Sequence, residues 1–202
     1  MQRRNKVLCI GDSIATGQGV PILQSWPSLV ASKLHPHGIE VFSSALNGET
    51  SRDFLYRLDR NVVLGSEEFD FVYFQYGIND ANFWVSGKGF PRVSARAFES
   101  NLREIVERLA GAGPMQIAIG TNHAVDKPLT IQSGPFQHIS NLGQNVLSYN
   151  EKIRDICAEL DEVLLIDMED ATSSGNHLLP DGVHLNPFGH ETYAARFLEV
   201  FF

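Results

Sequence analysis

The chain has 202 residues, 43% hydrophobic and 20% charged, enough to bury one sizeable core, so a single domain over residues 1–202 is the expectation. Sixteen Lys and Arg against 24 Asp and Glu give a formal net charge of −8 with no cationic cluster. That excludes a nucleic-acid surface or an anionic membrane partner and favours a neutral or weakly polar small molecule. The N-terminal "MQRRNKVLCIGDS" has too short an apolar run for a signal peptide, and no other stretch reaches membrane-spanning length. No membrane insertion and a cytoplasmic location are expected. Cys9 and Cys157, one in a strand pattern and one in a helical pattern, read as buried thiols and not as a disulfide or metal pair.

Strand and helix patterns then alternate along the chain. "KVLCIG" (6–11) is a strand, followed by Gly-Asp-Ser and the helical "SWPSLVASKLHPHG" (25–38). "IEVFSSAL" (39–46) is a second strand and "TSRDFLYRLDRNVV" (50–63) a helix; "DFVYFQYG" (70–77) is a third strand before the helix "SARAFESNLREIVERLAGAG" (94–113), which "GAGP" stops. "MQIAIGT" (115–121), the helix "GQNVLSYNEKIRDICAELD" (143–161), "EVLLIDM" (162–168) and the helix "NPFGHETYAARFLEVFF" (186–202) complete the series, with Asn186 as N-cap and Pro187 in the first turn. Continuous Val, Ile and Phe runs predict strands buried on both faces. Alternation with right-handed crossovers therefore predicts a three-layer α/β/α sandwich around a mostly parallel five-stranded sheet.

In such sheets ligands bind outside the carboxyl ends of the strands. The notable polar residues fall in the loops there: Gly-Asp-Ser after the first strand, "NGETS" after the second, "YGIND" after the third, "TNH" after the fourth and "DGVHLN" after the fifth. A serine hydroxyl becomes a nucleophile when a histidine oriented by a carboxylate takes its proton. Ser13, His184 and Asp181 offer that set, with Asp181 three residues before His184 in a Pro-Asp-Gly turn. Acyl transfer also needs donors for the oxyanion; the candidates are the backbone N–H of Ser13, the backbone N–H of Gly48 and the Asn79 amide. Asp12 reads as a turn and capping residue, and Asp80 as a brace for the "GIND" loop.

With "GDSI" (11–14), "NGET" (47–50), "GIND" (77–80) and "DGVH" (181–184) in this order, the sequence resembles the SGNH hydrolases, the GDSL esterase/lipase superfamily. The resemblance spans nearly the whole chain and implies the flavodoxin-like sandwich, a catalytic Ser13, His184 and Asp181, an oxyanion hole of Ser13, Gly48 and Asn79, and no cofactor or metal. Ile14 stands where the family name has leucine, and Ala45 where many members carry glycine; neither removes a reacting atom. The expected activity is hydrolysis of a small-molecule ester with a small or medium acyl group through an acyl-enzyme.

The family's range leaves other substrates open: a carbohydrate or natural-product deacetylase, a thioesterase or an acyltransferase on the same triad, and a binding module on a degenerate scaffold as the non-enzymatic alternative. The oligomeric state is not readable from sequence. His35 and His37 are expected in solvent, His190 on the last helix facing solvent or a neighbour, and His123, His138 and His177 in loops near the reaction edge. None has zinc-site spacing. Residues 81–94 and 121–143 read as long loops over that edge, where Phe83, Trp84, Phe90 and Phe136 either line an acyl pocket or pack the loops onto the body.

Overall fold

The computed structural model describes residues 6–59, 68–83, 90–114, 116–125 and 142–202. Its five strands, β1 (Lys6–Gly11), β2 (Glu40–Ala45), β3 (Phe71–Phe74), β4 (Gln116–Gly120) and β5 (Val163–Ile166), pair in the order β2-β1-β3-β4-β5, every pair parallel. β1 and β3 lie inside the sheet and are buried almost throughout, as their apolar runs predict. β2 departs from that expectation. Among the described residues it is an edge strand with β1 alone beside it, and its Phe42 and Ser43 are exposed.

The helices are α1 (Ser13–Thr16), α2 (Trp26–Leu34), α3 (Ser51–Asp59), α4 (Ile78–Ala81), α5 (Ala95–Gly111), α6 (Leu142–Glu159), α7 (Met168–Ala171) and α8 (Pro187–Phe201). α2 packs on α8, while α3, α5 and α6 pack in succession; right-handed crossovers place the two groups on opposite faces of the sheet. The first face carries an aromatic seam: Trp26 meets Tyr73 edge-on at 5.2 Å between centroids and Phe197 at 5.7 Å. On the other, Phe98 and Tyr149 approach to 4.8 Å. Among the described residues no helix is long and apolar enough to cross a membrane.

Strand order reverses between β1 and β3, because the chain leaves β1 outward for β2 and returns to β3 on the far side of β1. At such a switch point the loops after the two central strands diverge to opposite faces and leave a crevice. The loop after β1 holds Ser13 and the loop after β3 holds Asn79, so topology alone directs both to one place.

Candidate active site

At the end of β1 the chain turns at Asp12, whose Oδ1 accepts the Ile14 N–H at 2.9 Å and caps the single turn of α1. Ser13 is the first residue of that turn and is 7% exposed. Facing it is the loop between α7 and α8, which folds on itself. Leu178 and Leu185 form an antiparallel bridge, Leu179 N–H donates to His184 O at 2.7 Å, and Gly182 N–H donates to Leu179 O at 2.9 Å. Asn186 closes it, accepting the Gly189 N–H at 2.9 Å as N-cap of α8 while its amide donates back to Asn176 O and Leu178 O.

Within this loop Asp181 Oδ1 accepts the N–H groups of Val183 and His184, each at 2.9 Å, and Oδ2 lies 2.7 Å from His184 Nδ1. His184 Nε2 is 3.0 Å from Ser13 Oγ. The carboxylate only accepts, so Nδ1 carries the proton and Nε2 is left as acceptor for the serine hydroxyl. Burial alone would raise the Asp181 carboxyl, but the bonds from the His184 ring and from the two backbone N–H groups outweigh it and hold the group below its ordinary range. The three residues singled out from sequence thus meet in one hydrogen-bonded series.

Asn79 is the second residue of α4, and its Nδ2 donates to Asp12 Oδ2 at 2.9 Å. Asp12 therefore holds both the turn that bears Ser13 and the amide of Asn79, a link the sequence pattern does not contain. It is 3% exposed. Burial pushes its carboxyl up to about 7, with the nearby Asp80 and Glu49 carboxylates adding to the rise and the Ile14 and Asn79 donors opposing it. Gly48 adopts φ +76°, and a Cβ there would meet nothing within 4 Å; the glycine answers to backbone conformation and not to space. Its carbonyl accepts from Arg92 Nη2 at 3.1 Å.

Buried acids anchor these loops from below. Asp80, wholly buried, accepts the Ser51 N–H at 3.0 and 3.2 Å from its two oxygens and the Ser51 hydroxyl at 2.5 Å, joining the "GIND" loop to the start of α3. It is the brace expected, and burial raises its carboxyl to about 6 against those bonds. Glu49 takes a two-pronged bond from Arg57 Nε and Nη2, each at 2.8 Å, and the Tyr76 hydroxyl at 2.7 Å. Gly77, at φ +141°, lies where a Cβ would come within 2.4 Å of Asn122 Nδ2.

His35 and His37 are exposed, as expected. His190 is 1% exposed and takes the Trp26 N–H on Nδ1 at 3.3 Å, so it meets a neighbour and not solvent. His177 and His123 are buried as well. Phe83 is buried and bridges Pro91, whereas Phe90 is exposed; Trp84, Phe136 and His138 lie outside the described residues. Cys9 is buried and Cys157 half-buried, both free thiols.

An all-parallel sheet in this order, with a hydroxyl, an imidazole and a carboxylate bonded in series at its carboxyl edge, defines a class of α/β protein built for acyl-transfer chemistry. A family model described as the GDSL-like Lipase/Acylhydrolase family matches residues 9–192, and the chain belongs to that family. A curated relative named "Arylesterase", from Vibrio mimicus, is 31% identical over 128 residues, which are 60% of this chain and 59% of the relative. The chain thus matches about three fifths of that protein's length. A lipolytic G-D-S-L family protein from Veillonella parvula superposes with a TM-score of 0.72 at 22% identity, covering 97% of both chains. An acetylxylan esterase from Geobacillus stearothermophilus superposes with a TM-score of 0.74 at 23% identity, covering 96% of this chain and 93% of its own. At these identities the likeness is one of fold.

Proposed function

We propose that this protein is a serine esterase that hydrolyses small-molecule esters of small or medium acyl groups. The observation that carries the reading is the series Ser13 Oγ, His184 Nε2, His184 Nδ1, Asp181 Oδ2, closed at 3.0 and 2.7 Å. Ser13 Oγ attacks the ester carbonyl carbon as its proton passes to His184 Nε2. The oxyanion so formed is held by the N–H groups of Ser13 and Gly48 and by Asn79. An amide NH₂ has two hydrogens, so Asn79 keeps one for the oxyanion while the other is bound to Asp12. His184 then gives its proton to the leaving alcohol, which departs from the acyl-enzyme. Water, deprotonated in turn by His184, releases the acid and restores Ser13. Asp181 keeps the imidazole in the working tautomer and stabilises its charge. On this reading residues 1–202 act as one domain of the family.

Family membership supports acyl hydrolysis, and the Vibrio mimicus relative's name supports an aryl or similarly small ester. The test is hydrolysis of 4-nitrophenyl esters from acetate to decanoate beside an acetylated sugar and an acyl-thioester, with Ser13→Ala as control. Turnover highest on the short aryl esters is expected, with a loss in Ser13→Ala of at least about ten-thousand-fold in kcat. Full activity in a clean Ser13→Ala preparation overturns the mechanism; preference for the sugar or the thioester reassigns the substrate class.

A further inference from the structure

The His184 loop is bonded mainly to itself, and that raises the question of what fixes it to the sheet. Among the described residues, one hydrogen bond besides His184–Ser13 runs from the segment 176–186 to a strand end: His123 Nε2 lies 2.7 Å from the carbonyl of Val183, the residue immediately before His184. His123 ends the "TNH" segment after β4, whose side chains tie it to neighbouring elements. Thr121 Oγ1 donates to Asp167 Oδ1 at the end of β5, Asn122 Nδ2 donates to Tyr76 O at the end of β3, and His123 reaches the loop.

The other ring nitrogen, His123 Nδ1, is 2.8 Å from the Tyr193 hydroxyl on α8, which accepts from Gln75 Nε2 at 3.1 Å and from the His123 N–H at 3.2 Å. The partners assign every proton. A carbonyl only accepts, so Nε2 donates to Val183 O; Nδ1 of the neutral ring must then accept the Tyr193 O–H, whose two lone pairs take Gln75 and the His123 amide. His123 is wholly buried. Burial lowers it to about 4, with the bond to Val183 opposing and the His184, His190 and His177 rings assisting, so the ring stays neutral where the proposed reaction runs.

We propose that His123, held by Tyr193, is a positioning residue for His184: it fixes the Val183 carbonyl and thereby the distance from the imidazole to Ser13. The inference rests on the esterase reading. Because the loop is internally bonded, release of Val183 lets it drift as a unit, and the misplacement falls on the His184–Ser13 contact. The reaction is then affected more than substrate binding. A misplacement of about 1 Å costs on the order of a hundred-fold in rate.

Two substitutions separate the ring's two bonds. His123→Gln carries an amide NH₂ out to the Nε2 position and keeps the donor for Val183 O while giving up the Tyr193 contact. His123→Asn keeps a partner for Tyr193 and leaves Val183 O without its donor. Ester hydrolysis is measured for both and for Ser13→Ala, with thermal melting alongside. His123→Asn should lose about 30- to 100-fold in kcat with KM within about two-fold of wild type, and His123→Gln should recover most of that loss. Tyr193→Phe, the milder change, should lower kcat several-fold at unchanged KM and serves where His123→Asn does not fold. Equal kcat for the Asn and Gln variants, wild-type kcat in Tyr193→Phe, or losses that appear in KM overturn the proposal. Activity that survives in Ser13→Ala overturns the esterase reading itself; a dead Ser13→Ala beside an indifferent His123→Asn overturns the positioning role alone.

Discussion

Asp12 shows how much a single side chain is asked to do. One oxygen caps the turn that carries Ser13 and the other holds the amide of Asn79, so the proposed nucleophile and the proposed oxyanion donor are held by the same carboxylate. In Asp12→Asn the amide NH₂ meets the Asn79 NH₂, donor against donor, and Asn79 must turn away. A loss in kcat of about a hundred- to a thousand-fold is expected, the scale of a missing oxyanion donor. Asn79→Ala should lose a similar amount, and the double variant should be no worse than either single change, because both remove one interaction. Additive losses would mean that Asp12 acts independently of Asn79. Asp181→Asn, whose amide NH₂ would face His184 Nδ1 as a donor and force the ring proton onto Nε2, should cost about ten-thousand-fold in kcat. The proximity of Asp12 to Ser13 is plain in "GDSI", and a capping role follows from it; the bond to Asn79, across 67 positions of chain, is not written in any local pattern.

Elements bring these residues together, and here the sequence was most informative. Apolar runs bounded by helical periods mark all five strands, and "NPF" marks the start of α8, where Asn186 accepts the Gly189 N–H. Asn186→Ala removes that cap and both bonds to Asn176 and Leu178 carbonyls. It should destabilise by about 1–2 kcal/mol, a fall of roughly 2–8 °C in melting temperature for a chain of this size. Differential scanning calorimetry checks this. Gly48→Ala meets no atom but forces a Cβ onto φ +76°, at a cost of about 1–2 kcal/mol, so the variant should fold and melt a few degrees lower with reduced kcat. The edge position of β2 was not legible. Its apolar residues match those of a central strand, and burial on both faces depends on which strands become neighbours, a property of the assembled sheet. The buried ties of Asp80 to Ser51, Glu49 to Tyr76 and His123 to Val183 were hidden for the same reason: each joins segments that only topology brings together.

Over the whole molecule, buried titratable groups of opposite sign share one pH range. Burial, with the His184 ring assisting, lowers His190 to about 4, as burial does for His123. Folded protein therefore binds fewer protons at these rings than unfolded protein between about pH 4 and 6.5, and their contribution to stability falls as pH drops through that window. Asp12 and Asp80, raised to about 7 and about 6, act oppositely: their contribution is complete below the ordinary carboxylate pKa and is lost as pH rises through 6 to 7. The two trends offset each other between pH 4.5 and 6.5. His190→Asn, which keeps an acceptor for Trp26, removes one histidine contribution. Its stability relative to wild type should worsen by up to about 3 kcal/mol as pH rises across that range, read by urea denaturation; a difference independent of pH would contradict the assignment. Family membership and the sheet stand on the whole chain, but the central claim concerns one oxygen. Its most direct test is labelling with a fluorophosphonate, followed by intact mass and peptide mapping, in wild type, Ser13→Ala and His184→Ala. One adduct on Ser13, absent from Ser13→Ala and strongly slowed in His184→Ala, is the predicted result. No adduct on the folded protein, or an adduct on another residue, would contradict it.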